Sequence, residues 1–98
     1  MNIQAMMKQA QKLQKDMMSA KEEIDSKVFV GKSSMVTVEV MGNKTVKKIK
    51  VEAENFENDD LEMLEDMIVV AINDAMRQID KETEEKMGKY TQGMPGLF

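Results

Sequence analysis

The sequence predicts an α+β domain of order α-β-β-β-α, with a three-stranded antiparallel sheet and two long helices. Three observations predict it. Apolar residues follow a heptad pattern over the first 25 positions, valines alternate around a central Gly42-Asn43 pair, and a second helical apolar face follows residue 60. At 98 residues the chain has room for one small domain with a limited core. Residues 1–90 are assigned to that domain and residues 91–98 to a flexible C-terminal tail.

The first helix is predicted over about residues 2–25. Ile3, Met6, Ala10, Leu13, Met17, Ala20 and Ile24 recur at alternating gaps of three and four, a coiled-coil a/d pattern over three heptads. Helix-forming Gln, Lys, Glu and Ala fill the intervening positions, and no Gly or Pro precedes Gly31. Such a helix is ~36 Å long at 1.5 Å per residue, which is long for so small a domain. Part of it should project, leaving Ile3, Met6, Ala10, Leu13 and Met17 as a stripe for a second copy or for the chain's own core.

Lys27 to Val30 is a short β-prone run ending at Gly31, and Ser34 to Met41 alternates, with Val36, Val38 and Val40 on one face. Gly42-Asn43 reads as a two-residue hairpin turn. Lys44 to Val51 returns, with Ile49 and Val51 opposed to Lys48 and Lys50. Residues 53–60 form a polar, acidic connection in which Asn58 or Asp59 caps the second helix and Asp59 with Glu62 forms a capping box. That helix is predicted from about Asp60 to Met87, with Leu61, Leu64, Ile68, Ala71, Ile72, Ala75 and Ile79 on its apolar face and Gly88 as its stop.

Composition narrows the chemistry. There is no His and no Cys, so the commonest general base and metal ligand, disulfides and thiolate chemistry are all missing. Gly31-Lys32-Ser33 matches the end of a phosphate-binding loop but lacks its earlier glycine and precedes a strand. The acidic residues show no EF-hand spacing. The longest apolar run, Met67 to Ile72, is six residues, against the ~20 needed to cross a bilayer. The expectation is a cytoplasmic protein that is not an enzyme, with no cofactor, no metal, no membrane partner and no small-molecule substrate.

The net charge of −4 hides a division between the two halves. Residues 1–50 hold ten lysines against five acids, and residues 51–98 hold four basic residues against thirteen acids. Lys8, Lys12 and Lys15 fall at the outer f, c and f heptad positions and line one exposed stripe, with Gln4 and Gln11 beside them. Lys44, Lys47, Lys48 and Lys50 crowd the third strand. Either group is able to meet phosphates. The helix stripe is equally a solvated coiled-coil surface, and the strand lysines equally blunt an exposed edge.

The chain resembles the YbaB/EbfC family of nucleoid-associated DNA-binding proteins over nearly its whole length. The resemblance rests on Met-Lys-Gln-Ala-Gln-Lys-Leu-Gln at residues 7–14, Val38-Glu-Val-Met-Gly-Asn43 with the lysine-rich strand after it, and Leu61-Glu-Met-Leu-Glu-Asp66. Ala71-Ile-Asn-Asp-Ala75 and Gly93-Met-Pro-Gly-Leu-Phe98 complete it. The order and spacing of these segments carry the match rather than any one of them. The resemblance implies a bacterial cytoplasmic protein of the nucleoid, a homodimer whose helices project like tweezers and bind double-stranded DNA, with roles in nucleoid organisation and gene regulation. It implicates the first and last helices in DNA binding, where the basic candidates are Lys8, Lys12, Lys15, Arg77 and Lys81. A protein-binding or chaperone-like module of the prefoldin type, using the same amphipathic helices, is the alternative.

Overall fold

The computed structural model describes residues 2–53 and 56–91 of the chain. The order of elements is α1 (Ile3–Ser26), β1 (Val28–Ser33), β2 (Val36–Met41), β3 (Val46–Val51), a 3-10 turn (Asn58–Asp60) and α2 (Leu61–Thr91). This is the expected α-β-β-β-α arrangement, and the sheet is an antiparallel meander in the order β1-β2-β3. The expected tail at 91–98 lies outside the described residues except for Thr91, which belongs to α2.

The core is one layer of helix on one face of the sheet. Val36, Val38 and Val40 of β2 are fully buried against Ala71, Ala75 and Ile79 of α2. Burial of each valine contributes about 1.5–3 kcal/mol. Gly31, in the middle of β1, is the point of closest approach: a Cβ there would lie 2.0 Å from the Ala71 carbonyl oxygen and 2.8 Å from the Ala75 amide nitrogen. Small residues on both sides thus let the helix backbone rest on the strand. Gly31 does not end β1 as expected; the strand continues to Ser33, and Ser34 (φ 51°) makes the turn.

The β2–β3 turn also differs from expectation. It has three residues, with the Lys44 amide donating to the Met41 carbonyl and the left-handed backbone at Lys44 (φ 69°) rather than at Gly42. Gly42 serves packing instead, because a Cβ there would lie 1.7 Å from the Ile24 carbonyl oxygen. The end of α1 therefore sits directly on the hairpin, where the Gly42 amide donates to the Lys27 carbonyl.

Two helix boundaries are corrected. The capping box forms between Glu57 and Asp60 around the 3-10 turn, not between Asp59 and Glu62. Gly88 does not stop α2, which runs to Thr91. A helical glycine costs only about 1 kcal/mol, and buried Met87 with Tyr90 packed against the core offsets that cost.

α1 runs beside the C-terminal half of α2, with Lys21, Ile24 and Asp25 across a shallow groove from Ile79, Asp80, Thr83 and Met87. Ile24 is 2% exposed and Met17 and Ala20 pack on the core, whereas residues 2–16 are exposed throughout. The expected projection of the helix is therefore present. It contributes to a principal extent of 72 Å against 21 and 14 Å across.

Candidate nucleic-acid interface

The projecting part of α1 begins at Asn2, whose side chain accepts from the amides of Gln4 and Ala5 and so caps the free end. Lys8, Lys12 and Lys15 are exposed on this segment, and none has a carboxylate within ion-pair distance among the described residues. Seven residues of helix separate the first from the last by ~10 Å, the length of about three base-pair steps at ~3.4 Å per strand. Charged side chains without partners on a narrow, free-standing rod meet an anionic polymer without first breaking internal contacts.

Arg77 and Lys81 lie elsewhere. They sit on α2 over the body of the domain, whereas Lys8 is nine residues of helix, ~13 Å, beyond Met17, the outermost residue of the α1 stripe that packs on the core. Arg77 approaches Asp74 at 3.9 Å. Lys81 lines a concavity with Glu82 and Glu85 near the β1 edge. The fold thus does not bring the five basic residues together, and acids neighbour the two on α2.

The other lysines divide in the same way. Lys27 pairs with Glu82 at 2.6 Å, Lys44 with Asp80 at 3.3 Å and Lys21 with Asp25 at 3.1 Å. Lys47 is the extra residue of a bulge in β3, since Glu39 faces Lys48 while Val40 faces Val46. The ammonium groups of Lys32, Lys47 and Lys48 form no ion pair within 4.0 Å among the described residues. Lys32 was hidden in the sequence within a glycine-lysine-serine run; the strand register is the signal that places it.

Two further surfaces bear on assembly. Val46, Ile49 and Val51 of β3 share the inner face with the buried valines of β2 yet stay 40–43% exposed. α2 lies over β1 and β2 and does not reach β3. Val69, Ile72, Met76 and Asp80 occupy one flank of α2 by their spacing, and Asp80 pairs with Lys44 of the β2–β3 turn. An apolar groove therefore opens between that flank and β3. On α1, Ile3 (69%), Met6 (55%) and Leu13 (51%) remain exposed, and exposed Ala10 lies between them. Of the expected stripe residues only Met17 joins the core.

No group of three or more His, Cys, Asp or Glu is placed to hold a metal ion among the described residues. No helix among them is long and apolar enough to cross a membrane. The concavity lined by Gln11, Lys15, Met18 and Glu22 is the surface of one helix, not an enclosed ligand site.

Comparison with known proteins gives a consistent result. The model of the YbaB/EbfC DNA-binding family matches residues 1–94. A nucleoid-associated protein of Lactococcus lactis subsp. cremoris is 50% identical over 97 residues, covering 97% of this chain and 98% of its own. One from Ligilactobacillus salivarius is 44% identical over 99 residues, covering 99% and 95%. One from Enterococcus faecalis is 43% identical over 98 residues, covering 98% and 94%.

Proposed function

The chain belongs to the YbaB/EbfC DNA-binding family, and from that premise we propose that it binds double-stranded DNA as a homodimer, largely through lysine–phosphate contacts. It acts in the nucleoid of the bacterial cytoplasm, in nucleoid organisation and gene regulation. The observation that carries this reading is the unpartnered stripe of Lys8, Lys12 and Lys15 on the free-standing part of α1. Two such helices in a dimer straddle the duplex. Neutralised phosphates release condensed counterions, and log K falls with log salt by about 0.9 per phosphate contacted. Base readout is slight, because phosphate contacts carry no sequence information directly. The acidic start of α2 faces away from the duplex.

The second copy is supported by the groove between α2 and β3, which leaves Val46, Ile49, Val51 and Val69 exposed. A small core gains stability when such a face is covered. Exposed Met6, Met7 and Met18 favour a second reading, the holding of protein clients on an adaptable surface. Suppression of client aggregation without any duplex binding would select that reading.

The test is a Lys8/Lys12/Lys15→Gln variant in a salt titration against a duplex. The variant stays folded and dimeric, and the slope of log K against log salt falls by up to ~5 for six contacts per dimer. Unchanged affinity and slope would remove the stripe from the interface.

A further inference from the structure

We propose that the outer face of the sheet, opposite α2, is a second surface for the backbone of duplex DNA, with Lys32, Lys48 and Lys50 contacting phosphates; this rests on the DNA-binding reading above. The strand register puts these residues together. Lys32, Thr37 and Lys50 form one row across the three strands, and Val30, Glu39 and Lys48 form the next. Val36, Val38 and Val40 point into the core, so Thr37 and Glu39 point outward, and their partners on β1 and β3 share that face. Lys48 and Lys50 are ~7 Å apart along β3, two base-pair steps of one DNA strand, and Lys32 is ~10 Å across the sheet from Lys50.

The charges on this face are available. The side-chain ammonium groups of Lys32 and Lys48 form no ion pair within 4.0 Å among the described residues. Among the described residues Lys50 pairs only with Glu52, at 3.4 Å, and both side chains are more than 60% exposed. Such exposed pairs are weak and exchange readily for a phosphate. Glu39, half-buried, is the acid within the face, and Glu52 stands at its margin. Three lysines against that background complement an anionic backbone. The groove offered to a second copy is on the inner side of β3, so the dimer leaves this face open.

Edge protection accounts for part of the pattern only. β3 is a free edge, and lysines there discourage strand-to-strand association. Lys32 is on β1, whose outer edge is already closed by α2. The Gln78 amide donates to the Val30 carbonyl at 2.8 Å, and Asp74 accepts from the Lys32 amide at 3.1 Å. An edge role does not explain a third lysine aligned with Lys50 across the sheet.

Salt titrations of duplex binding by anisotropy separate the surfaces, using the wild type, the Lys8/Lys12/Lys15→Gln variant, a Lys32/Lys48/Lys50→Gln variant and the matching Lys→Arg variant. With one face engaged, the sheet Gln variant loses about 2.7 from the slope, and the Arg variant retains the wild-type slope. Weakening at ~0.1 M salt is then on the order of 10²-fold. A sheet Gln variant with the wild-type slope, beside an α1 variant with a reduced one, overturns this inference and leaves the α1 reading standing. A wild type that binds no duplex overturns both. If glutamines on β3 cause aggregation, Lys32→Gln alone decides: a slope lower by about 0.9 supports the sheet surface and an unchanged slope overturns it.

Discussion

Replacing Gly31 by alanine tests the packing that positions every other element. The added Cβ would lie 2.0 Å from the Ala71 carbonyl oxygen, 2.8 Å from the Ala75 amide nitrogen and 3.0 Å from the Ala75 Cβ. The first two neighbours are helix backbone and have no rotamer to change. α2 must therefore retreat from β1 by about 1 Å or more, loosening Ala71, Ala75 and Ile79 from the buried valines of β2. Overpacking of this kind costs about 1–3 kcal/mol, and a rigid neighbour puts it at the upper end. Alanine recovers about 0.5–1 kcal/mol of strand propensity, leaving a net loss of ~2 kcal/mol. For a domain of this size that lowers Tm by roughly 8–16 °C. The same substitution at Gly88 is the internal control. It lies within α2, and a Cβ there meets nothing within 4 Å, so Gly88→Ala gains up to about 1 kcal/mol. Thermal and urea unfolding followed by circular dichroism at one protomer concentration reads both variants. A Gly31→Ala protein as stable as the wild type would refute the close helix–strand contact, and a destabilised Gly88→Ala protein would refute the open surroundings of Gly88.

Four other substitutions probe separate parts of the fold. Gln78→Ala removes the side-chain bond to the Val30 carbonyl and should cost about 1 kcal/mol, with faster amide exchange along the β1 edge. Ile24→Ala should cost 2–5 kcal/mol and Leu13→Ala less than ~0.5 kcal/mol in unfolding, because Ile24 is 2% and Leu13 51% exposed. Ile49→Glu places a charge in the groove between β3 and α2 and should convert dimer to monomer by light scattering; a variant that remains dimeric would exclude this groove from the interface.

The patterns most legible in the sequence were those set by local periodicity. The heptad stripe located α1 to within a residue at each end, and the alternating valines located the buried face of β2. The failures share a cause in tertiary packing. Gly31 and Gly42 read as punctuation, yet each is where a helix backbone presses on the sheet, which no local pattern announces. Gly88 read as a stop, but burial of Met87 and packing of Tyr90 carry the helix past it. Ile49 and Val51 read as the apolar face of the third strand, and the register does give them the inner face, but α2 stops short of β3 and leaves them exposed.

The candidate site was legible in the same graded way. The spacing of Lys8, Lys12 and Lys15 defined one stripe, and the structure sets it on the exposed span of α1. Arg77 and Lys81 came with the family resemblance, and the acids beside them, Asp74 and Glu82, stand on the same helix and were already visible in the sequence. Lys32 joins Lys48 and Lys50 through a register that spans three strands. A single strand's sequence does not contain that information.

The most direct test of the central claim is the salt dependence of wild-type binding to several unrelated duplexes, on protein whose dimeric state is verified by light scattering. Lysine–phosphate binding predicts similar affinities for all duplexes and a linear fall of log K with log salt, by about 0.9 for each phosphate contacted. Affinity confined to one duplex and flat in salt, or no duplex binding at ~50 mM salt, would contradict it.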